Sequence, residues 1–592
     1  MKLLRPRRRE FLSGIGAAGA AGLAGCVSLG EETDERNDGT AAVVSDHHLA
    51  TEAGVGALED GGTAADAAVA VASVLSVVQP WFSSVLGGGT WALYYDAESD
   101  EVTSLDGVGP IGSEATLRDY VDRGGSEGLG MYQAIVPGAW DGWMLWLDRY
   151  GSLDLGEVLA PATEIARDGY SVTAEMDYWL HRPSLRRAIG NRPHASAIYK
   201  PEGELLEEGD TVYQRDMADT FDSLVEAYDE RKDEGRKEAI QAARDHYYRG
   251  PIAEKIVEFS DRRGGYLTLS DFREFEAEIL DPISIEYGDR HRVYQNPPNS
   301  QGITMLLILN ILDGYDLSEM DPDGADAVHL QTEATKLAFA DRYHHVGDPD
   351  RVDVPVEELL EKDYAANQRD RIEMNDTLTW PIESGLEPIS SDTDADHTTT
   401  FHIVDNDGNA AAVTTSLGAE FLVVGETGIH INNRMRMIST EEGNPNRLTP
   451  GYKVRHTSNP YMSFRDGSLH IVGGNTGVDT QPQGQSQEFL SVVEFGFDAQ
   501  KAVSRPRFVS TGFPSGTSGE VRGRLQMESE FPDTTVEELE KRGHEIELDE
   551  GIFGSANMIV LEDESGDEGT IQVGAEPRVS TSEGRTVAPE GE

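Results

Sequence analysis

Few side chains in these 592 residues combine the type and the spacing that chemistry needs. Three threonines run together at Thr398, Thr399 and Thr400, directly after the polar string SGLEPISSDTDADH. They open TTTFHIVDNDGNAAAVTTSLG, where the turn signal NDGN separates two apolar runs, so a β-hairpin beginning abruptly at Thr398 is expected. Taken alone, such a start is ordinary, because β-branched residues favour strands. A second group is the triple glycine Gly87, Gly88 and Gly89 ahead of the aromatic string TWALYY. No Lys-Ser/Thr pair follows and the GxGxxG spacing is absent, which favours a tight backbone crossing over a phosphate cradle. His344 and His345 are adjacent, so their side chains diverge on a helix or a strand and no metal pair is expected. No metal cluster, nucleotide loop or haem motif is visible, and no cofactor is inferred.

The elements that must position these groups fall into two halves. From Ala41 an apolar, strand-like start leads into helical periodicity, interrupted at Gly61-Gly62 and closed by Pro80, with Asp66 in the first turn of the second helix. Helical patterns dominate from about Ala134 to Asn310. Beyond about residue 397 the chain turns strand-rich, with further strands near Leu469 to Val472, Met558 to Leu561 and Ile571 to Val573. Mixed α/β comes first and a sheet-dominated part follows, with no internal repeat.

Composition narrows the class. With 38% apolar residues the chain can bury a large core, so its acidity is not that of a disordered protein. The balance of 107 acidic against 49 basic residues, formally −58, repels phosphate backbones and argues against nucleic acid as a partner. Only ten of the basic residues are Lys, a bias that resembles proteins of halophilic archaea living in multimolar salt. There the Debye length is about 3 Å or less and carboxylate repulsion is screened.

Residues 1–25 read as a leader and stand outside fold reasoning. RRREFLSG resembles a twin-arginine export signal, with Arg8 and Arg9 as the pair. LAGC resembles a lipoprotein processing box ending at Cys26, the only cysteine, which would carry the lipid. Residues 26–40 would be an acidic tether, and the protein would sit on the outer face of the cell membrane, touching lipid only through that anchor.

Nine further strings occur in order: EDGGTAADAAVA, LGGGTWALYY, IVPGAWDGW, LAPATEIARDGYSV, NPPNSQGI, KLAFADRYHHVGDPD, TTTFHIVDNDGNAAAVT, GETGIHINN and GAEPR. Over nearly the whole span from Ala42 to Arg578 they resemble the gamma-glutamyltransferase family of N-terminal nucleophile hydrolases. The resemblance implies an α+β fold, a four-layered αββα sandwich. It implies a proenzyme that cuts itself at His397-Thr398 into a large part, 41–397, and a small part, 398–592, which stay together as a heterodimer. Thr398 would be the nucleophile. A threonine hydroxyl needs an adjacent base, and its own freed α-amino group, with a reference pKa near 8, can serve. Ser416 would orient it, and the N-H groups of Gly477 and Val478 in GNTGV would hold the oxyanion. Val478 stands where the family has a second glycine, and valine resists positive φ.

The departures from the family pattern concern substrate. The arginine that binds a glutamyl α-carboxylate is missing from LDGVGP, and Met437 takes the place of the aspartate that pairs with the α-amino group. The family's serine pair becomes His456-Thr457, and Arg434 and Arg436 follow Asn432-Asn433. These six residues, Asn432, Asn433, Arg434, Arg436, His456 and Thr457, are the expected substrate-binding set, with Arg455 a further candidate for a carboxylate. Three readings result. One is a gamma-glutamyltransferase or glutathione hydrolase that takes a small-molecule amide and passes its acyl group to water or an amine. Another is an acylase of the same family acting on a non-glutamyl amide. The third is a non-catalytic surface lipoprotein, suggested by the lost clamp and by Thr400 in place of the family's histidine.

Overall fold

The computed structural model describes residues 39–386, 398–418, 420–514, 521–549, 553–562 and 570–588. The expected leader, Cys26, most of the tether and His397 lie outside the described residues.

Strand parity builds the core. In Ala41–Ser45, Ala42 and Val44 point one way and Ala41 and Val43 the other, and both sets are buried. This strand joins a seven-stranded antiparallel sheet in the order Glu583–Val587, Ala41–Ser45, Thr398–Val404, Ala410–Ser416, Gly89–Asp96, Glu101–Gly107, Glu278–Leu280. A six-stranded antiparallel sheet runs Thr570–Gly574, Ala556–Glu562, Ser468–Asn475, Tyr461–Arg465, His291–Gln295, Ile283–Tyr287. Ala42, Val44, Val404, Ala410 and Ala412 of the first sheet pack face to face on Met462, Phe464, Val472 and Ile559 of the second. The opposite parity, Ala41, Val43, Phe401, Ile403, Ala411 and Val413, packs on an outer helical layer. The second sheet turns Ile285, Val293, Tyr461, Ile471 and Met558 to its own helices. Two sheets between two helical layers make the expected αββα sandwich.

Local chemistry sets the helices. Ala64–Val78 is apolar all round and buried at every residue, as a helix enclosed between a sheet and further helices must be. Its start is a capping box between Thr63 and Asp66, so Asp66 stands in the first turn as expected.

One part of the sequence reading needs correction, and one sheet goes beyond it. Within the stretch read as helical, Ile283–Tyr287 and His291–Gln295 form a hairpin through Gly288, whose φ is +56°. Ile283–Tyr287 does alternate apolar and polar residues, but over only five residues, too short a run to stand out beside the helical patterns before it. A small sheet, Phe508–Ser510, Arg524–Glu528 and Glu545–Asp549, also sits outside the sandwich against helix Ala325–His345. Its strands are short, and Val328 of that helix, Phe531 and Leu539 complete their core. Among the described residues no helix is long and apolar enough to cross a membrane.

Candidate active site

Thr398 is the first residue of its strand and sits opposite Ser416 in the antiparallel register. Even-numbered residues of that strand face the second sheet, as Val404 does, so Thr398 lies on the inter-sheet face. Its Oγ1 is 3.2 Å from Ser416 Oγ, and the residue is 2% exposed. Thr399 has the opposite parity. Its hydroxyl donates to Asp46 at 3.0 Å, beside donors from Ser555 and Asn557. Burial pushes the Asp46 carboxyl up to about 6, against the pull of those three hydrogen bonds.

Behind Ser416 stands a buried polar chain. Arg434 Nη1 donates to Ser416 Oγ at 2.7 Å and Nη2 to Asn433 Oδ1 at 2.7 Å. Asn433 Nδ2 reaches Glu420 at 3.4 Å, and Glu420 pairs with Arg192 at 3.1 Å. Gly418 leaves room for this chain, because at its φ of +103° a Cβ would lie 2.0 Å from Asn433 Oδ1. Asn432 is spent on backbone. It donates to Gly87 and Ile135 carbonyls and accepts from the Ile135 and Arg434 N-H groups, which leaves nothing for a ligand. It is a structural pin rather than the substrate-binding residue expected from sequence. The triple glycine serves the same crossing: a Cβ on Gly87 would meet the His430 carbonyl oxygen at 1.8 Å.

The loop Gly474 to Val478 ends at helix Thr480–Val493, so the Gly477 and Val478 N-H groups lie at a helix N-terminus, where partial positive charge favours an oxyanion. Gly477 has φ +94° and Val478 φ +61°. The valine thus takes the left-handed conformation that its β-branched side chain opposes. Gln481, one turn into the helix, was missed by the sequence reading. Its amide lies 3.3 Å from Thr398 Oγ1. The orientation that satisfies both ends donates to Asn459 Oδ1 at 2.8 Å and Thr457 O at 2.7 Å and accepts from Val478 N-H at 3.3 Å. The signal lay in DTQPQGQSQ, but a run of glutamines reads equally as an exposed helix face, whereas Gln481, Gln483, Gln485 and Gln487 are all buried.

The other expected residues separate. His456 is fully buried, its Nδ1 accepts from Ser458 N-H at 3.3 Å, and burial, then Arg434, holds the ring neutral. Its proton is therefore on Nε2, which has no partner and lies 3.5 Å from where a Cβ of Gly89 would be. Thr457 Oγ1 is likewise buried without a partner. Arg436 lies near Tyr120 and Tyr132, whose hydroxyls feel its charge. Arg455 is buried against Arg342, and burial, then that neighbour, lowers it to about 9. Where the glutamyl clamp would be, Val108 and Met437 join Trp91, Met435 and Val478 in one apolar cluster.

Among the described residues one His/Glu group converges, His329, Glu333 and His544. His329 Nδ1 and His544 Nε2 are 2.8 Å apart, and His329 Nε2 bonds the Glu373 carbonyl. Glu333 takes Lys336, Thr377 and the Leu378 N-H. The group is satisfied by these bonds, and the Lys336 ammonium already holds the charge of Glu333.

A family model described as Gamma-glutamyltranspeptidase matches residues 50–585. The chain belongs to the gamma-glutamyltranspeptidase family. Among its relatives, the glutathione hydrolase-like YwrD proenzyme of Bacillus subtilis (strain 168) is 34% identical, over 90% of this chain and 96% of that one. The glutathione hydrolase proenzyme of Escherichia coli (strain K12) is 31% identical, over 95% of each. The crystal structure of cephalosporin acylase from Bacillus halodurans superposes with a TM-score of 0.81 at 29% identity, covering 95% of this chain and 99% of that one. Gamma-glutamyltranspeptidase membership makes the chain an enzyme of the N-terminal nucleophile hydrolase class and bears out the sandwich read from its motifs.

Proposed function

We propose that this protein is a self-processing amidohydrolase and acyltransferase whose nucleophile is Thr398, acting on γ-glutamyl or related amides. The observation that carries the reading is the Thr398 hydroxyl at 3.2 Å from Ser416 Oγ, at the end of the inter-sheet face and beside the Gly477-Val478 loop. Cleavage of the His397-Thr398 bond turns the Thr398 amide into an amine able to take the hydroxyl proton. Oγ1 then bonds the substrate carbonyl carbon, the oxyanion takes the Gly477 N-H and displaces Gln481 Oε1 from the Val478 N-H, and the amide C-N bond breaks as the amine leaves with that proton. Water or a second amine attacks the acyl-Thr398 ester and restores the hydroxyl. Purified protein kept in high salt should separate under denaturation into two pieces, the smaller being residues 398–592. A single uncut band together with full activity in Thr398→Ala would rule the reading out.

A second reading of the substrate, a non-glutamyl amide, is favoured by the apolar cluster that holds Val108 and Met437 in place of the clamp. An α-ammonium set against it would lose its water without gaining a partner. Turnover of γ-glutamyl anilide compared with the matched amide lacking the α-amino group decides between them. Better turnover of the des-amino amide selects the acylase reading. We also propose that the enzyme works outside the cell in brine, lipid-anchored at Cys26. Membrane-fraction protein that becomes soluble in Cys26→Ser is the expected result.

A further inference from the structure

The Gly477-Val478 loop holds a conformation that its own sequence resists, so something outside it must impose that shape. Gln301, fully buried ahead of helix Ile303–Leu312, donates one amide hydrogen to Val478 O at 2.7 Å and the other to Thr457 O at 3.0 Å. Its carbonyl oxygen accepts from Arg342 Nη1 at 2.7 Å, which settles the orientation of the amide. Arg342, 1% exposed, projects from helix Ala325–His345, stacks over Phe339 at 4.2 Å and also binds Asp479, the residue after Val478. Gln301 and Arg342 precede Thr398 in the chain, whereas Thr457, Val478 and Asp479 follow it. Contacts from the large part therefore grip a loop of the small part at its strained residue and at the residue that follows it.

We propose that Gln301, aligned by Arg342, is a positioning residue that keeps Val478 in the left-handed conformation and so keeps the loop's N-H groups aimed at the developing oxyanion. Without the bond to Val478 O, the valine relaxes toward negative φ and its N-H swings away. The family's glycine at this position would occupy the same conformation unaided, so the strut matters because a valine is there. The inference rests on the proposed reading of Thr398 and its loop.

The test is a double-mutant cycle on the processed enzyme with an anilide substrate. Gln301→Leu should lower kcat about 100-fold, the range for losing one oxyanion donor, with KM changed less than about threefold. In a Val478→Gly background the same substitution should lower kcat less than about tenfold, because glycine supplies the left-handed φ itself. Arg342→Lys, which keeps a charge beside Asp479 but loses the planar fork, should show the same dependence on residue 478. It runs the cycle if Gln301→Leu does not accumulate. Equal losses in the Val478 and Val478→Gly backgrounds, or an unchanged kcat in Gln301→Leu, would overturn the proposal. Activity surviving in Thr398→Ala would instead mean that the underlying reading of the site had failed.

Discussion

The two sides of Thr398 are built from different materials. On the Ser416 side a polar relay of Arg434, Asn433, Glu420 and Arg192 runs through buried side chains. On the other, where family members specific for glutamyl groups would hold the two charged ends of their substrate, Trp91, Val108, Met437 and Val478 form an apolar wall. The difference separates two tasks. In the proposed function the polar side acts on the Thr398 hydroxyl, whose chemistry is the same for any amide. The side chains of Trp91, Val108 and Met437 would there meet only the acyl group and can change without touching the reaction, whereas Val478 also lends its N-H to the oxyanion. A charged clamp converted piecemeal would strand one buried charge, which is strongly destabilising, so both ends must be lost together. Both are absent here.

The largest test removes the proposed nucleophile. Thr398→Ala should stay uncut on a denaturing gel and lose about four orders of magnitude or more in turnover. Next, Arg434→Met takes away the 2.7 Å bond to Ser416 Oγ and should lower kcat about 100-fold with little change in KM, which would place Arg434 with the reaction and not with the wall. A large rise in KM alone would move it to the substrate side.

The third concerns Asp46, behind Thr399. Its folded pKa, about 6, lies above the ordinary carboxylate value of 3.8 because burial disfavours the charge. Its contribution to stability is therefore full below about pH 4 and lost as pH rises through about 6, by about 2 to 3 kcal/mol. Thermal unfolding in constant high salt should show this slope, and Asp46→Asn should flatten it. An unchanged slope would clear Asp46 of the effect. The smallest effect sharpens the comparison directly. Restoring the clamp with Val108→Arg and Met437→Asp together should raise kcat/KM for γ-glutamyl anilide relative to the des-amino amide about tenfold, whereas either change alone should mainly destabilise.

Much of this was legible in the sequence, and particular residues show where legibility stopped. The hairpin from Thr398 and the capping box at Asp66 depend on neighbours a few residues away, so their patterns survive in one dimension. Motif order pointed to Thr398, Ser416, Gly477 and Val478, and the first two meet at 3.2 Å. Asn432 was misjudged because its type allows binding, and only its four backbone bonds show that it is saturated. Gln301 and Arg342 were not singled out by any pattern of their own, and the glutamine run that holds Gln481 reads equally as an exposed face. A glutamine becomes a strut only when two carbonyls, from Thr457 and Val478, arrive within hydrogen-bond reach of it.

By itself, then, the sequence determined the acidity and the order of helix-rich and strand-rich halves, because composition and periodicity are properties of the chain, and its family-like motifs pointed to the layer order and to Thr398 as the proposed nucleophile. The tertiary structure decided which hydroxyl faces Ser416, that Val478 keeps a left-handed backbone, and that Val108 and Met437 close into one wall. Those are outcomes of contacts between segments far apart in the chain, and no local pattern encodes the distance between two side chains that meet only when the sheets close.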